Sequence, residues 1–169
     1  MESLLFLLFG FLLIQRLGEL VIANSNKRWM MDRGGKESGQ EHYILFIILH
    51  TCFFLSILIE FMSTGFEWSL LSWFALGSFF ILQLLRVWCI ATLGRRWNTR
   101  IIILPDEEPI KKGLYRLIRH PNYVIVFFEL AVIPILFHAY VTALIFPLLH
   151  LLVLKVRIPA EERALEERT

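Results

Sequence analysis

Two stretches of this chain concentrate residue types that bind and orient polar ligands. The first is Gly113-Leu114-Tyr115-Arg116-Leu117-Ile118-Arg119-His120-Pro121-Asn122-Tyr123. The second is Arg157-Ile158-Pro159-Ala160-Glu161-Glu162-Arg163-Ala164-Leu165. Carboxylates accept from ammonium and hydroxyl groups, guanidinium and imidazole donate to anions, and aromatic faces attract cations. Basic residues beside a membrane can also serve only topology and headgroup binding, at about 1 kcal/mol each. That role accounts for Lys111, Lys112 and Arg116. It does not account for Glu161-Glu162, which an anionic surface repels, so two facing clusters fit a zwitterionic ligand better.

The elements that must carry these clusters are apolar. Hydrophobic residues make up 57% of the 169 residues, and Phe occurs 15 times, more apolar surface than a soluble domain of this size can hide. Crossing the hydrocarbon layer takes roughly 20 apolar residues. Spans are expected near Leu4–Ala23, Tyr43–Met62, Leu70–Leu93, Val124–Phe137 and Val141–Val156. The fold class is therefore all-α integral membrane, a single domain over 1–169. Residues 1–93 make three N-terminal spans, and 94–169 make a loop, a short helical hairpin and a tail. The N-terminus has no basic n-region or small-residue cleavage site, so the first run reads as a retained span. Pro134 and Pro147 predict kinks or breaks in the hairpin. Pro105, Pro109 and Gly113 predict turns in the long loop around the acidic run Asp106–Glu108. An amphipathic helix leaving the membrane is expected from Pro159 to Arg168.

Charge sets an orientation. Lys27, Arg28, Arg33 and Lys36 lie in the first loop, and Arg95, Arg96, Arg100, Lys111, Lys112, Arg116 and Arg119 in the third. Arg157, Arg163 and Arg168 follow the last span and Lys155 stands at its end, while Ser63–Ser69 and the hairpin turn carry no Lys or Arg. By the positive-inside rule this is a multi-pass cell-membrane protein with its N-terminus outside and its C-terminus cytoplasmic. The hairpin then makes neighbours of the two polar clusters.

Ionisable groups within apolar runs are costly unless paired or lining a cavity. Arg16 and Glu19, three apart, can pair on one helix face. Gln83 and Arg86 share a face of the third span. Glu60 reads as structural, near a span end. Glu129 lies two turns into its span and admits two readings, an Arg-paired structural carboxylate or a residue facing substrate. His138 reads as interfacial, and His150 as a helix–helix hydrogen bond. Cys52 and Cys89 read as apolar core thiols. The five His have no metal-ligand spacing, so no metal is expected. A net charge of +2 does not point to nucleic acid. No phosphate-binding or dinucleotide glycine motif and no G-x-S-x-G elbow is present.

The order Gly-x-Tyr, Arg-His-Pro-x-Tyr, hydrophobic hairpin, Arg-x-x-x-Glu-Glu resembles the isoprenylcysteine carboxyl methyltransferase family over roughly residues 85–169. Leu93-Gly94-Arg95-Arg96-Trp97-Asn98-Thr99-Arg100-Ile101 is similar to its bacterial members. The short five-span form, with Arg28-Trp29-Met30 in the first loop, resembles a subgroup of small O-methyltransferases acting on alkylpyrones beside type III polyketide synthases. The resemblance implies S-adenosylmethionine as cofactor, held by Tyr115, His120, Pro121, Asn122, Tyr123 and Glu161, with backbone contacts from Pro109 and Ile110. It implies that Arg157 faces the reacting group of a lipophilic acceptor entering from the bilayer. Ile125 departs from the pattern, standing where many members carry Gly.

Chemistry is compatible with that implication. Glu161 can accept from a ribose diol or ammonium, His120 or Arg119 can donate to a carboxylate, and Tyr115 or Tyr123 can face adenine or a sulfonium. In-line transfer depends mostly on alignment. An ionised acceptor needs no base, whereas a phenol needs one, with Glu129 or His150 as candidates. Phospholipid N-methyltransferases share the pattern, sterol C-14 reductases using NADPH share part of it, and a non-enzymatic membrane scaffold is the remaining alternative.

Overall fold

The computed structural model describes residues 2–64, 67–105 and 107–167; Asp106 and Arg168, named above, lie outside them. Five helices follow in order: α1 Glu2–Met31, α2 Gln40–Ser63, α3 Leu70–Leu93, α4 Pro121–Leu136 and α5 Tyr140–Glu166. Among the described residues, four of these, all but α4, are long and apolar enough to cross a membrane. At 1.5 Å per residue, the 16 residues of α4 span about 24 Å, short of the roughly 30 Å hydrocarbon layer.

Only half of the expected short hairpin is short. α4 ends in a Schellman-type turn: the Ala139 amide donates to the Pro134 carbonyl at 2.9 Å and the His138 amide to that of Ile135 at 3.1 Å. His138 takes the left-handed position, φ 55°, usually filled by glycine. α4 continues through Pro134 and α5 through Pro147, so neither proline breaks the hairpin; α5 runs for 27 residues and takes in Pro159 as well. The expected tail helix is the end of α5 itself. Each of the two prolines in α5 removes one backbone donor, but strong helix formers flank both and packing against α2 and α4 supports the helix.

Packing explains the structural reading of Glu60. Its carboxylate accepts from the amides of Val141 and Thr142 at 2.8 and 3.0 Å and from the Thr142 hydroxyl at 2.8 Å. This satisfies the orphan donors at the start of α5, which lacks a side-chain cap of its own. Nearby, edge-to-face rings from α1, α2 and the hairpin interlock, with Phe9–Phe54 at 5.8 Å and Phe61–Phe137 at 5.8 Å, a geometry aromatic quadrupoles favour. Ile125 is buried with Leu82 and Cys89 of α3, so its larger side chain is absorbed in the α3–α4 contact.

Midway along the bundle the charged residues of the spans meet. Arg86 donates to both oxygens of Glu19 and, at 2.7 Å, to Glu129. Arg16 reaches Glu19 at 3.0 Å and Glu129 at 2.8 Å, and Gln83 adds a bond to Glu129 at 3.1 Å. Two cations and two carboxylates thus neutralise one another across α1, α3 and α4, the arrangement that makes charge tolerable inside a bilayer.

The other end of the bundle holds a feature the sequence reading lacks. Strands β1 Lys36–Ser38 and β2 Ile101–Ile103 pair antiparallel, Glu37 opposite Ile102. They sew the first and third loops together at one end of the bundle. Gly35 is required at the turn into β1, because a Cβ there would lie 2.7 Å from the Met30 carbonyl oxygen. Lys27 and Arg100 converge on the Glu37 carboxylate. Burial pushes that carboxyl up, but the bonds to the two cations outweigh it and hold it below the ordinary range.

Candidate functional site

The site begins at the junction of α3 and the third loop. Gly113 adopts φ +54°, and a Cβ there would meet Thr92 Oγ1 at 3.0 Å and Trp88 Nε1 at 3.1 Å. That close approach opens a 3-10 turn over Gly113–Arg116 and lays Tyr115 against the α3–α4 cluster. Burial and the neighbouring Cys89 thiol push the Tyr115 phenol up, so it stays protonated. His120 then occupies the cap position of α4 and Pro121 its first turn, where a missing N–H costs nothing.

The hairpin joins the two polar clusters as its topology requires. Tyr123 donates to Glu161 Oε2 at 2.6 Å, and Arg157 Nε donates to the Tyr123 hydroxyl at 3.2 Å. His120 stacks on Tyr123 at 5.6 Å and lies 3.8 Å from Glu161 and 3.5 Å from Glu162. Arg119 pairs with Glu162 at 3.0 Å from an exposed position, a contact worth little by itself. Arg157 is further fixed by the Thr99 carbonyl at 2.9 Å. The Leu93–Arg100 stretch is pinned in turn: Asn26 donates to the Trp97 carbonyl at 2.7 Å and Asn98 to that of Ala23 at 2.9 Å.

These residues bound a cavity of about 1040 Å³, at the top of the range for a small-molecule site and large enough for two reactants. Pro109, Ile110, Tyr115, His120, Asn122, Tyr123, Arg157 and Glu161 all line it. Pro121 is fully buried and shapes the turn behind the wall. Glu129 is 1% exposed and stands behind Arg16 and Arg86, whose side chains do line the cavity. Four residues on the cavity wall, Trp97, Asn122, His150 and Arg157, each carry a buried polar atom without a partner: Nε1, Oδ1, Nδ1 and Nη1. Buried polar atoms without partners, on residues that line one cavity, point to a ligand site there.

Sequence reasoning missed the α2 wall. Tyr43, Phe46, His50 and Phe54 line the cavity from α2. Their spacing of three and four residues places them on one helix face, and that spacing was the available signal. Arg157 lies over the Phe46 ring at 5.5 Å, and Arg100 over Tyr43 at 4.1 Å.

The sequence model of the isoprenylcysteine carboxyl methyltransferase family matches residues 74–167. The chain belongs to that family. At the family's level it is a membrane methyltransferase, and the match takes in α3, the third loop and the α4–α5 hairpin that carry the mouth of the cavity. Relatives extend the likeness to the whole length. The uncharacterized protein YpbQ of Bacillus subtilis strain 168 is 39% identical over 163 residues, 95% of this chain and 96% of its own length. An uncharacterized protein of Haemophilus influenzae is 27% identical over 158 residues, 93% of this chain and 92% of its own. No solved structure matches the chain. α1 and α2, which supply Arg16, Phe46 and His50, lie before the first residue of the family match.

Proposed function

We propose that the protein is an S-adenosylmethionine-dependent O-methyltransferase whose acceptor is a lipophilic molecule drawn from the bilayer, of the alkylpyrone or isoprenylcysteine-like kind. The observation that carries this reading is the junction Arg157–Tyr123–Glu161, where both sequence motifs meet on one cavity wall. The donor set fits the cofactor. Glu161 and Glu162 accept from an ammonium or ribose diol, and His120 and Arg119 donate to a carboxylate. The stacked His120–Tyr123 pair offers an aromatic face to adenine or the sulfonium. Pro109 and Ile110 line the cavity from the loop, and Asn122 on its wall keeps a buried Oδ1 without a partner.

When bound, S-adenosylmethionine supplies an electrophilic methyl group. The chain supplies alignment. Arg157, fixed by Tyr123 and Thr99 and keeping Nη1 without a partner, holds the acceptor oxygen as an anion. Glu129 acts at one remove, as the carboxylate that positions Arg16 and Arg86 in the wall. Leu20, Ile47 and Thr51 line the cavity while being exposed on the flanks of α1 and α2, so a tail can pass sideways into lipid. In this reading the mouth opens to the cytoplasm, with the N-terminus on the far side of the cell membrane.

Calorimetric titration of S-adenosylmethionine into detergent-solubilised protein tests the proposal. Binding is expected for the unaltered chain and its loss for Glu161→Ala and His120→Ala. Absence of binding by the unaltered chain ends the reading. Mass spectrometry of products separates O- from N-methylation.

A further inference from the structure

Guanidinium groups are neutralised at the floor of the cavity and not at its mouth. At the floor, Arg86 is buried and meets the carboxylates of Glu19 and Glu129, and Arg16 meets the same two. Arg157 is 3% exposed, yet no carboxylate among the described residues pairs with it. Its partners are neutral, the Tyr123 hydroxyl and the Thr99 carbonyl, and its Nη1 has none. Glu161, Glu162 and Glu107, which line the cavity, are engaged by Tyr123, Arg119 and Arg96. A buried charge without a counter-ion is costly. The ligand is the place from which that counter-ion can come.

The Trp97 indole shares this condition. It is 2% exposed and lines the cavity, and its Nε1–H has no acceptor. An indole N–H only donates, and so does a guanidinium, so both groups call for an acceptor atom. They belong to one stretch of wall. Arg157 Nη2 donates to the carbonyl of Thr99, which follows Trp97 by two residues and so lies within roughly 7 Å of it, Cα to Cα. That stretch is strapped to the end of α1. Asn26, itself buried, donates to the Trp97 carbonyl at 2.7 Å, and Asn98 donates back to the Ala23 carbonyl at 2.9 Å. The indole is therefore held where it stands. Both N–H groups are shut off from water, and each stays desolvated until a ligand oxygen presses against the wall.

We propose that Trp97 is a second N–H donor to the anionic oxygen of the acceptor, beside Arg157. Two lone pairs of that oxygen are then taken by the indole and the guanidinium, and another remains for the reaction. Two donors, one of them charged, favour the ionised form of an acid over the neutral one. An acidic acceptor bound there needs no general base, which agrees with Glu129 being engaged by Arg16 and Arg86. This rests on the role given above to Arg157 and adds the residue that selects an ionised oxygen over a neutral hydroxyl.

The test compares dodecanoate with dodecanol, each carrying 13C at its first carbon, in nanodiscs at about pH 9, where the acid is ionised. The 13C line separates protein-bound from lipid-bound probe, and S-adenosylmethionine is titrated into the same preparations. The unaltered chain is expected to favour dodecanoate about a hundredfold. Trp97→Phe should weaken dodecanoate about tenfold and leave dodecanol and S-adenosylmethionine within about twofold. Benzothienylalanine at position 97 keeps the bicyclic shape without the N–H and should do the same. No preference for dodecanoate in the unaltered chain overturns the inference, as does a full preference in both variants. An equal loss for dodecanol assigns the effect to packing and overturns it too. A loss confined to S-adenosylmethionine gives Trp97 to the cofactor and overturns it likewise. If S-adenosylmethionine does not bind the unaltered chain while dodecanoate binding still depends on Trp97, the methyltransferase reading falls and the two-donor site stands.

Discussion

The mouth and the floor of the cavity are built from different parts of the chain and to different rules. The mouth is drawn from 3-10 turns, a helix cap and the end of α5, and its ionisable groups meet in pairs at 3.0–3.8 Å from partly exposed positions. The floor is drawn from the middle of five helices, and its charges are cancelled internally before any ligand arrives. The mouth suits a polar reactant that exchanges with solvent, and the floor suits one that exchanges with lipid. A membrane enzyme that joins two such reactants needs both rules in one cavity.

The comparison breaks first at Glu129. Replacing it by Ala leaves Arg16 and Arg86 with one carboxylate between them inside the membrane, and loss of about 3–5 kcal/mol is expected in detergent unfolding. If Glu129→Gln instead folds with unchanged stability and only turnover is lost, the carboxylate is a catalytic base and not a brace.

At the mouth, Tyr123→Phe removes the bond to Glu161 and the one accepted from Arg157. A cost of about 1.5 kcal/mol, some tenfold in S-adenosylmethionine affinity, is expected by calorimetry. Unchanged affinity would mean that Glu161 needs no help from the hairpin.

A smaller effect lies at the ribbon that frames the mouth. The Glu37 carboxyl is held low when folded, so its contribution is present above its unfolded value and fades as pH falls through the folded one. Glu37→Gln should lower stability at neutral pH by about 1 kcal/mol, and the difference from the unaltered chain should close in acid. A difference that stays constant with pH would assign the effect to packing.

How far the two regions can be read from sequence follows from the same contrast. Gly113, His120, Tyr123 and Glu161 sit in motifs with fixed spacing, and a hairpin between them leaves one way to combine them. The spans and a structural role for Glu60 were legible because apolar runs and their ends obey simple lengths; its contact with the start of α5 was not, because it needs the two helices docked. The β1–β2 ribbon was not, since three-residue strands carry too little alternation to register. His50 was hidden for another reason: it stands in an apolar run, and only the docked helices show that it lines the cavity. The pairing of Glu129 needed three helices to be docked before either of its two readings could gain support.

The most direct test is a calorimetric titration of S-adenosylmethionine into three proteins in nanodiscs: the unaltered chain, Glu161→Ala and His50→Phe. One-to-one binding by the unaltered chain that is lost in Glu161→Ala and stays within about twofold in His50→Phe is the predicted result. No binding by the unaltered chain, or equal binding by Glu161→Ala, would contradict it.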